Sequence, residues 1–243
     1  MGVSASGARL WHSLGMGPLW RERAPAQSAE LAHRGQDAPA QLDWQGLEQA
    51  VAACTACELC RSRTQTVFGV GNRQADWMFI GEAPGAEEDA RGEPFVGQAG
   101  RLLDNMLAAA GLGRERSGEQ AVFIANVLKC RPPGNRNPEA TEVAACAPFL
   151  RRQIELLEPR LIVVMGRFAA QWLLATDASI ASLRGRVHEV PVGARRYPVI
   201  VTYHPAYLLR NLADKAKTWD DLCLARDTYA RLCAVRLEAP AAG

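Results

Sequence analysis

The residues best suited to chemistry sit in a handful of short stretches. Gly81-Glu-Ala-Pro-Gly-Ala-Glu-Glu-Asp-Ala-Arg-Gly-Glu-Pro-Phe95 follows an apolar run and holds five acids (Glu82, Glu87, Glu88, Asp89, Glu93) against the single Arg91. A glycine-rich turn after a strand commonly cradles phosphate with its backbone N–H groups. So many carboxylates oppose an anionic ligand, and the loop leaves open which partner it serves. Asn126 closes a second apolar run. Its amide, one acceptor and two donors, either reads the edge of a base or merely starts a loop. Next to it, Lys129-Cys-Arg-Pro-Pro-Gly-Asn-Arg136 carries three cations (Lys129, Arg131, Arg136) on a proline-stiffened loop, a pattern for phosphate contact or for a solvated surface. His204, in Tyr203-His-Pro-Ala-Tyr-Leu-Leu-Arg210, ends a further run, where an imidazole serves function or local structure equally well. Phe95, beside Pro94, either stacks on a flat ligand or packs in the core.

Seven cysteines stand at positions 54, 57, 60, 130, 146, 223 and 233. With no clean secretory signal at the N-terminus they read as reduced thiols rather than a disulfide framework. Cys54-Thr-Ala-Cys57-Glu-Leu-Cys60 holds two overlapping C-x₂-C pairs, a spacing at which two thiolates grip one metal centre. Joined by Cys130 and Cys146, they supply four thiolates from two distant pieces of chain, suited to Zn²⁺ or a 4Fe-4S cluster, and spacing does not separate the two. Cys60 is either a third ligand from the first segment or a neighbouring thiol. Cys223 and Cys233, ten apart on an amphipathic pattern, read as small hydrophobes.

Positioning these groups falls to four apolar runs, Trp77–Ile80, Val122–Val127, Leu161–Met165 and Val199–Tyr203. Each is nearly continuous in apolar character, as parallel strands covered on both faces are. Helical periodicity fills the gaps at Leu42–Ala53, Gln98–Ala110, Pro138–Leu157, Arg167–Leu174 and Thr218–Leu237. The alternation predicts an α/β chain: a three-layer α/β/α sandwich around a central, mainly parallel four-stranded sheet. In such folds ligands bind beyond the carboxyl ends of the strands, where Glu82, Asn126, Gly166 and His204 fall.

Residues 1–42, rich in Ala, Gly, Pro and Ser, read as a flexible extension before a domain over 43–238, with 239–243 a short tail. A net charge of +2 over 243 residues excludes a globally basic surface, so any nucleic-acid contact is a local patch. No apolar run approaches the ~20 residues that span a bilayer, so no membrane partner is expected, and the chain reads as cytoplasmic.

Taken together, Gly81–Asp89, Gly92-Glu-Pro-Phe-Val-Gly97, Asn126–Arg136 and His204-Pro-Ala-Tyr-Leu-Leu-Arg-Asn211 resemble, in the same order, the motifs of the type 4 uracil-DNA glycosylases. These form the iron–sulfur branch of their superfamily, and the likeness runs from about Cys54 to Arg231. The resemblance implies a monofunctional glycosylase that flips uracil out of single- or double-stranded DNA and leaves an abasic site, working as a monomer at the nucleoid. It implies cluster ligands at Cys54, Cys57, Cys130 and Cys146, favouring 4Fe-4S over zinc and leaving Cys60 a bystander. It places uracil stacking on Phe95, base reading on Asn126 and catalysis on His204. In the best-known branch of the superfamily the water-activating Asp stands where this chain has Ala83. The acid here is therefore expected to be Glu82, supported by Glu88, with Ala83 lining the substrate. Lys129, Arg131, Arg136 and Arg210 are expected to hold phosphates, and Tyr207 to Arg210, with Leu208 among them, to wedge or clamp the duplex. A glycosylase of broader deaminated-base specificity and a non-catalytic uracil-DNA binding protein are the alternatives.

Overall fold

The computed structural model describes residues 39–238. The expected flexible stretch therefore lies, up to residue 38, outside the described residues, as do Trp11, Trp20, His12, His33 and the tail 239–243. A 3-10 turn at Pro39–Gln41, its proline buried, opens the described chain.

Six strands form one sheet: β1 (Val70–Gly71), β2 (Trp77–Gly81), β3 (Val122–Asn126), β4 (Leu161–Met165), β5 (Val187–Val192) and β6 (Arg195–Thr202). Their order is β1-β3-β2-β4-β6-β5. The four inner strands pair in parallel, β3 and β4 on β2, and β6 on β4. The outer pairs, β1 on β3 and β5 on β6, are antiparallel. The expected mainly parallel α/β/α sandwich is present, but the expected count of four strands is too low by the two edges. Neither edge carries a buried apolar run. β1 is two residues long, and β5 alternates between exposed and covered positions around Pro191, as an edge strand tolerates.

Among the described residues the α-helices are α1 (Trp44–Ala52), α2 (Ala86–Arg91), α3 (Gln98–Ala109), α4 (Ala140–Leu157), α5 (Arg167–Leu174), α6 (Ile180–Leu183), α7 (Pro205–Leu208) and α8 (Asp214–Glu238). Period-two alternation in the strands sorts their side chains into two cores. Met78, Ile80, Phe123, Ala125, Ile162, Val164, Val199 and Val201 pack with α1, α4 and α5 on one face. Trp77, Phe79, Val122, Ile124, Val163 and Ile200 pack with Leu103 and Leu107 of α3 and Leu222, Ala225 and Tyr229 of α8 on the other. Each such Leu, Ile or Phe contributes about 1.5–3 kcal/mol on burial. The fully apolar strands therefore fix the register that sets Gly81 opposite Asn126, and Met165 opposite Thr202. Residues 82, 126, 166 and 204 gather at one end of the sheet as a consequence.

Candidate active site

A pocket of about 440 Å³, open to solvent, lies beyond those strand ends. Its lining includes Glu82, Ala83, Glu88, Phe95, Asn126, Arg136, His204, Tyr207 and Arg210, nine of the residues singled out in the sequence. Pro84, Gly85, Ala99, Pro132, Asn135 and Ala206 complete it.

Asn126 is 2% exposed, and its side-chain oxygen Oδ1 is buried with no hydrogen-bond partner among the described residues. An acceptor left unsatisfied in this way costs about 1–3 kcal/mol, and a bound water or a ligand completes it. Oδ1 and the Phe95 ring pack directly over residue 81, which must be glycine: a Cβ there would lie 2.4 Å from Asn126 Oδ1 and 2.6 Å from the Phe95 ring. Phe95 is buried with φ of +56°, a conformation costly for a residue with a side chain. Its ring centroid stands 5.5 Å from that of His204, tilted by 31°.

His204 caps α7: its Nδ1 accepts the Ala206 N–H at 3.1 Å. Nδ1 must be unprotonated to accept, so the ring proton of the neutral form resides on Nε2. Burial pushes the imidazole down to about 4, with Glu88 pulling the other way and Arg210 adding to the shift. At neutral pH His204 is thus an uncharged donor. Gly166, at φ of +94°, lets it sit there, since a Cβ would come within 3.0 Å of the His204 Cβ.

The acids of the loop separate by their partners. Glu88 Oε2 accepts the Gly85 N–H at 3.1 Å, while Oε1 accepts those of Val96 and Gly97 at 3.0 and 3.2 Å. Asp89 is buried and accepts the Thr64 N–H at 3.0 Å. Glu93 pairs with Arg114 at 2.9 Å, and Glu87 stands near Arg91 at 3.8 Å on the surface. Glu82 alone is half-buried with a carboxylate that accepts no hydrogen bond among the described residues. Burial pushes its carboxyl up, partly opposed by the Arg167 guanidinium at the start of α5.

Two expectations need correction. Lys129 is 1% exposed, and its ammonium donates to the Asn126 carbonyl at 2.8 Å and to Gln153 Oε1 at 2.6 Å. It points inward and reaches no phosphate. Leu208 is likewise buried at 1%, while its neighbours Leu209 and Leu212 stand exposed, so no wedge comes from Leu208 as it lies. Arg136 lines the pocket, yet its guanidinium grips Glu142 at 2.9 and 2.5 Å. Arg131 holds Asn135 Oδ1 at 2.7 Å, and the Tyr207 hydroxyl donates to Asp214 at 2.7 Å. Arg210 remains exposed at the rim. Arg114 went unremarked in the sequence, because the loop it holds lies about 20 residues upstream with no local pattern to join them.

A second, tight cavity is lined by Cys54, Cys57, Cys60, Cys130 and Cys146 with Val51, Leu59, Phe149, Arg63 and Lys129. Arg63 Nη1 donates to Cys130 Sγ at 3.1 Å, and the Lys129 N–H to Cys146 Sγ at 3.2 Å. Burial pushes the Cys57, Cys130 and Cys146 thiols up, Cys146 to about 12, so thiolates persist here only around a positive centre. Among the described residues no three His, Cys, Asp or Glu side chains converge tightly enough for one metal ion. The thiols instead ring a space. Cys233 is elsewhere, beside Arg160 at 3.6 Å.

Fold and pocket together define a class: a three-layer α/β protein with an open pocket beyond the carboxyl ends of its parallel strands. Residues 68–223 match the model of the uracil DNA glycosylase superfamily. The chain is 47% identical over 163 residues to the type-4 uracil-DNA glycosylase of Archaeoglobus fulgidus, covering 65% of this chain and 79% of that one. It is 43% identical over 172 residues to the type-4 enzyme of Thermotoga maritima, covering 70% and 85%. A type-5 uracil-DNA glycosylase of Pyrobaculum aerophilum shares 33% over 148 residues, covering 57% and 64%. The chain belongs to the uracil DNA glycosylase superfamily. Among the described residues no helix is long and apolar enough to cross a membrane.

Proposed function

We propose that this protein is a DNA repair N-glycosylase that hydrolyses the bond between uracil and deoxyribose, releasing free uracil and leaving an abasic site without a lyase step. The observation that carries the reading is the orphaned Asn126 Oδ1, buried in a pocket shared with Phe95 and His204. The glycosidic bond is out of reach in a stacked duplex, so the nucleotide enters the pocket flipped. Phe95 stacks on the base. Asn126 Oδ1 accepts from uracil N3–H while its Nδ2 donates to O4. Cytosine, with an acceptor at N3 and an amine at C4, leaves both groups mismatched in a buried site.

As the C1′–N1 bond breaks, its electron pair moves onto the base and the sugar gains oxocarbenium character. The Nε2–H of neutral His204 donates to O2, where the charge collects. Glu82, as a carboxylate, faces the cationic sugar and orients the water whose oxygen bonds to C1′; the water's proton passes to the carboxylate and on to solvent. Glu88, held by three backbone N–H groups, shapes the loop rather than moving a proton. Arg210, with Arg131 and Arg136 behind it, is the cation set nearest the DNA backbone.

The thiol cavity fits a 4Fe-4S cluster held by Cys54, Cys57, Cys130 and Cys146. The donor set is all sulfur, two N–H groups point at sulfurs, and the thiols surround a volume rather than a point. When bound, such a cluster supplies a cross-link between the first segment and the 130–146 stretch. Cys60 stays spare.

The test is purified protein on a single-uracil oligonucleotide, followed by alkali. Scission at the uracil position is expected, with none before alkali. Intact strands, where a known glycosylase cuts, would overturn the reading.

A further inference from the structure

The loop that presents Phe95 is gripped by a buried guanidinium. Arg114, on the turn after α3, has a side chain only 11% exposed. Its Nη2 donates to the Phe95 carbonyl at 3.1 Å, and Nη1 to the Pro94 carbonyl at 3.1 Å and to Glu93 Oε1 at 2.9 Å. Nε donates to Asp104 Oδ1 at 2.9 Å, and Nη2 lies at the same distance from that oxygen. One planar cation therefore ties the peptides on both sides of Phe95 to α3, through Asp104.

The conformation so held does not hold itself. Phe95 sits at φ of +56°, a region costing of order 1–3 kcal/mol for such a residue. Its carbonyl is pressed against α3 so closely that a Cβ on Gly100 would fall within 1.8 Å of it. A carbonyl turned onto a helix face needs donors, and Arg114 supplies one there and another to the preceding carbonyl. The far side of the turn is held by opposite charge, Glu88 accepting from Val96 and Gly97.

We propose that Arg114 is a positioning residue for base recognition: its fork fixes Phe95 in the left-handed conformation that lays the ring against the flipped base. The assignment rests on the reading of Phe95 as the stacking platform given above. Lysine cannot replace it, because one ammonium does not span two successive carbonyls and two carboxylates.

A double-mutant cycle tests this on the full-length protein. Arg114→Met and Arg114→Lys are made alone and with Phe95→Ala, and kcat, KM, inhibition by free uracil and melting temperature are measured. In the Phe95 background both substitutions should lower kcat/KM about tenfold or more, as misplaced contact groups do, and weaken uracil inhibition in step. In the Phe95→Ala background the same substitutions should change kcat/KM less than about twofold. Equal losses in both backgrounds would show that Arg114 supports folding at large and overturn the proposal. Full activity in Arg114→Lys, the variant that keeps an ion pair with Asp104 or Glu93, would overturn it as well. Unchanged activity in Phe95→Ala alone would instead remove the stacking role on which the proposal stands.

Discussion

Two cavities, the one ringed by thiols and the pocket at the strand ends, share one segment of chain and differ in almost every other respect. The thiol cavity is tight and apolar around five sulfurs, whereas the pocket at the strand ends is far larger, open, and lined by polar and apolar groups alike. In the first, the polar groups have partners: Arg63 and the Lys129 N–H already point at sulfurs. In the second, the decisive group has none, since Asn126 Oδ1 is buried and unpartnered. On the reading proposed above, the first awaits a positive centre for its thiols, and the second keeps an acceptor in reserve for a visiting base. The stretch from Asn126 to Cys130 serves both. Asn126 faces the pocket, Cys130 faces the sulfurs, and Lys129 between them binds Cys146 with its N–H and Asn126 with its ammonium.

The contrast is broken most severely at the sulfurs. Cys146→Ser should abolish the iron content and visible absorbance of the purified protein and its cooperative melting, because binding of such a centre is folding free energy. Cys60→Ser should keep all three. Loss of iron in Cys60→Ser would move that residue into the ligand set.

A smaller effect, spread over both cavities, is expected from Lys129. Lys129→Met leaves the Asn126 carbonyl and Gln153 Oε1 without their donor, at a cost of about 2–4 kcal/mol in denaturant unfolding. It should lower uracil kcat/KM and speed iron loss to a chelator together. Arg210→Met should instead leave stability alone and reduce the slope of log affinity against log salt by about 1. A salt-slope change in Lys129→Met would restore the phosphate role that its burial argues against.

The mildest perturbation is pH. On the proposed mechanism Glu82 works as a carboxylate, and burial raises its carboxyl, so activity should fall on acidification at a pH above the ordinary carboxylate range. On the same mechanism His204 works neutral, and burial pushes its imidazole down to about 4, so no inflection is expected near 6.5, the usual imidazole value. In Glu82→Gln the acid limb should flatten at a lower plateau rate; a limb that survives unchanged belongs to another group.

How much of this was legible in the sequence follows from the same physics. The inner strands announce themselves because both faces are covered, and Leu161–Met165 and Arg167–Leu174 fall where their patterns place them. The edges β1 and β5 do not, being short or half-wet. Glu82, Phe95, Asn126 and His204 were legible from strand-end placement and from the resemblance together, and the structure gathers them in one pocket. Lys129 was misread because a cation in a basic loop gives no sign that its side chain turns inward. Leu208 was misread because an apolar run of two does not say which leucine faces the core. Arg114 was missed because its partners are tertiary. The acidity of the 82–93 loop, unexplained by sequence, resolves into four committed acids and one free one.

The central claim is that the unpartnered Asn126 acceptor is kept for the base and not for the fold. Its direct test measures kcat/KM on a uracil oligonucleotide and the melting temperature of Asn126→Ala against the parent protein. The account predicts a loss of about 100-fold or more in kcat/KM, near 2.7 kcal/mol in the barrier, with no fall in melting temperature, since a buried unsatisfied acceptor is removed. Retained activity, or a melting temperature that falls as activity falls, would contradict it.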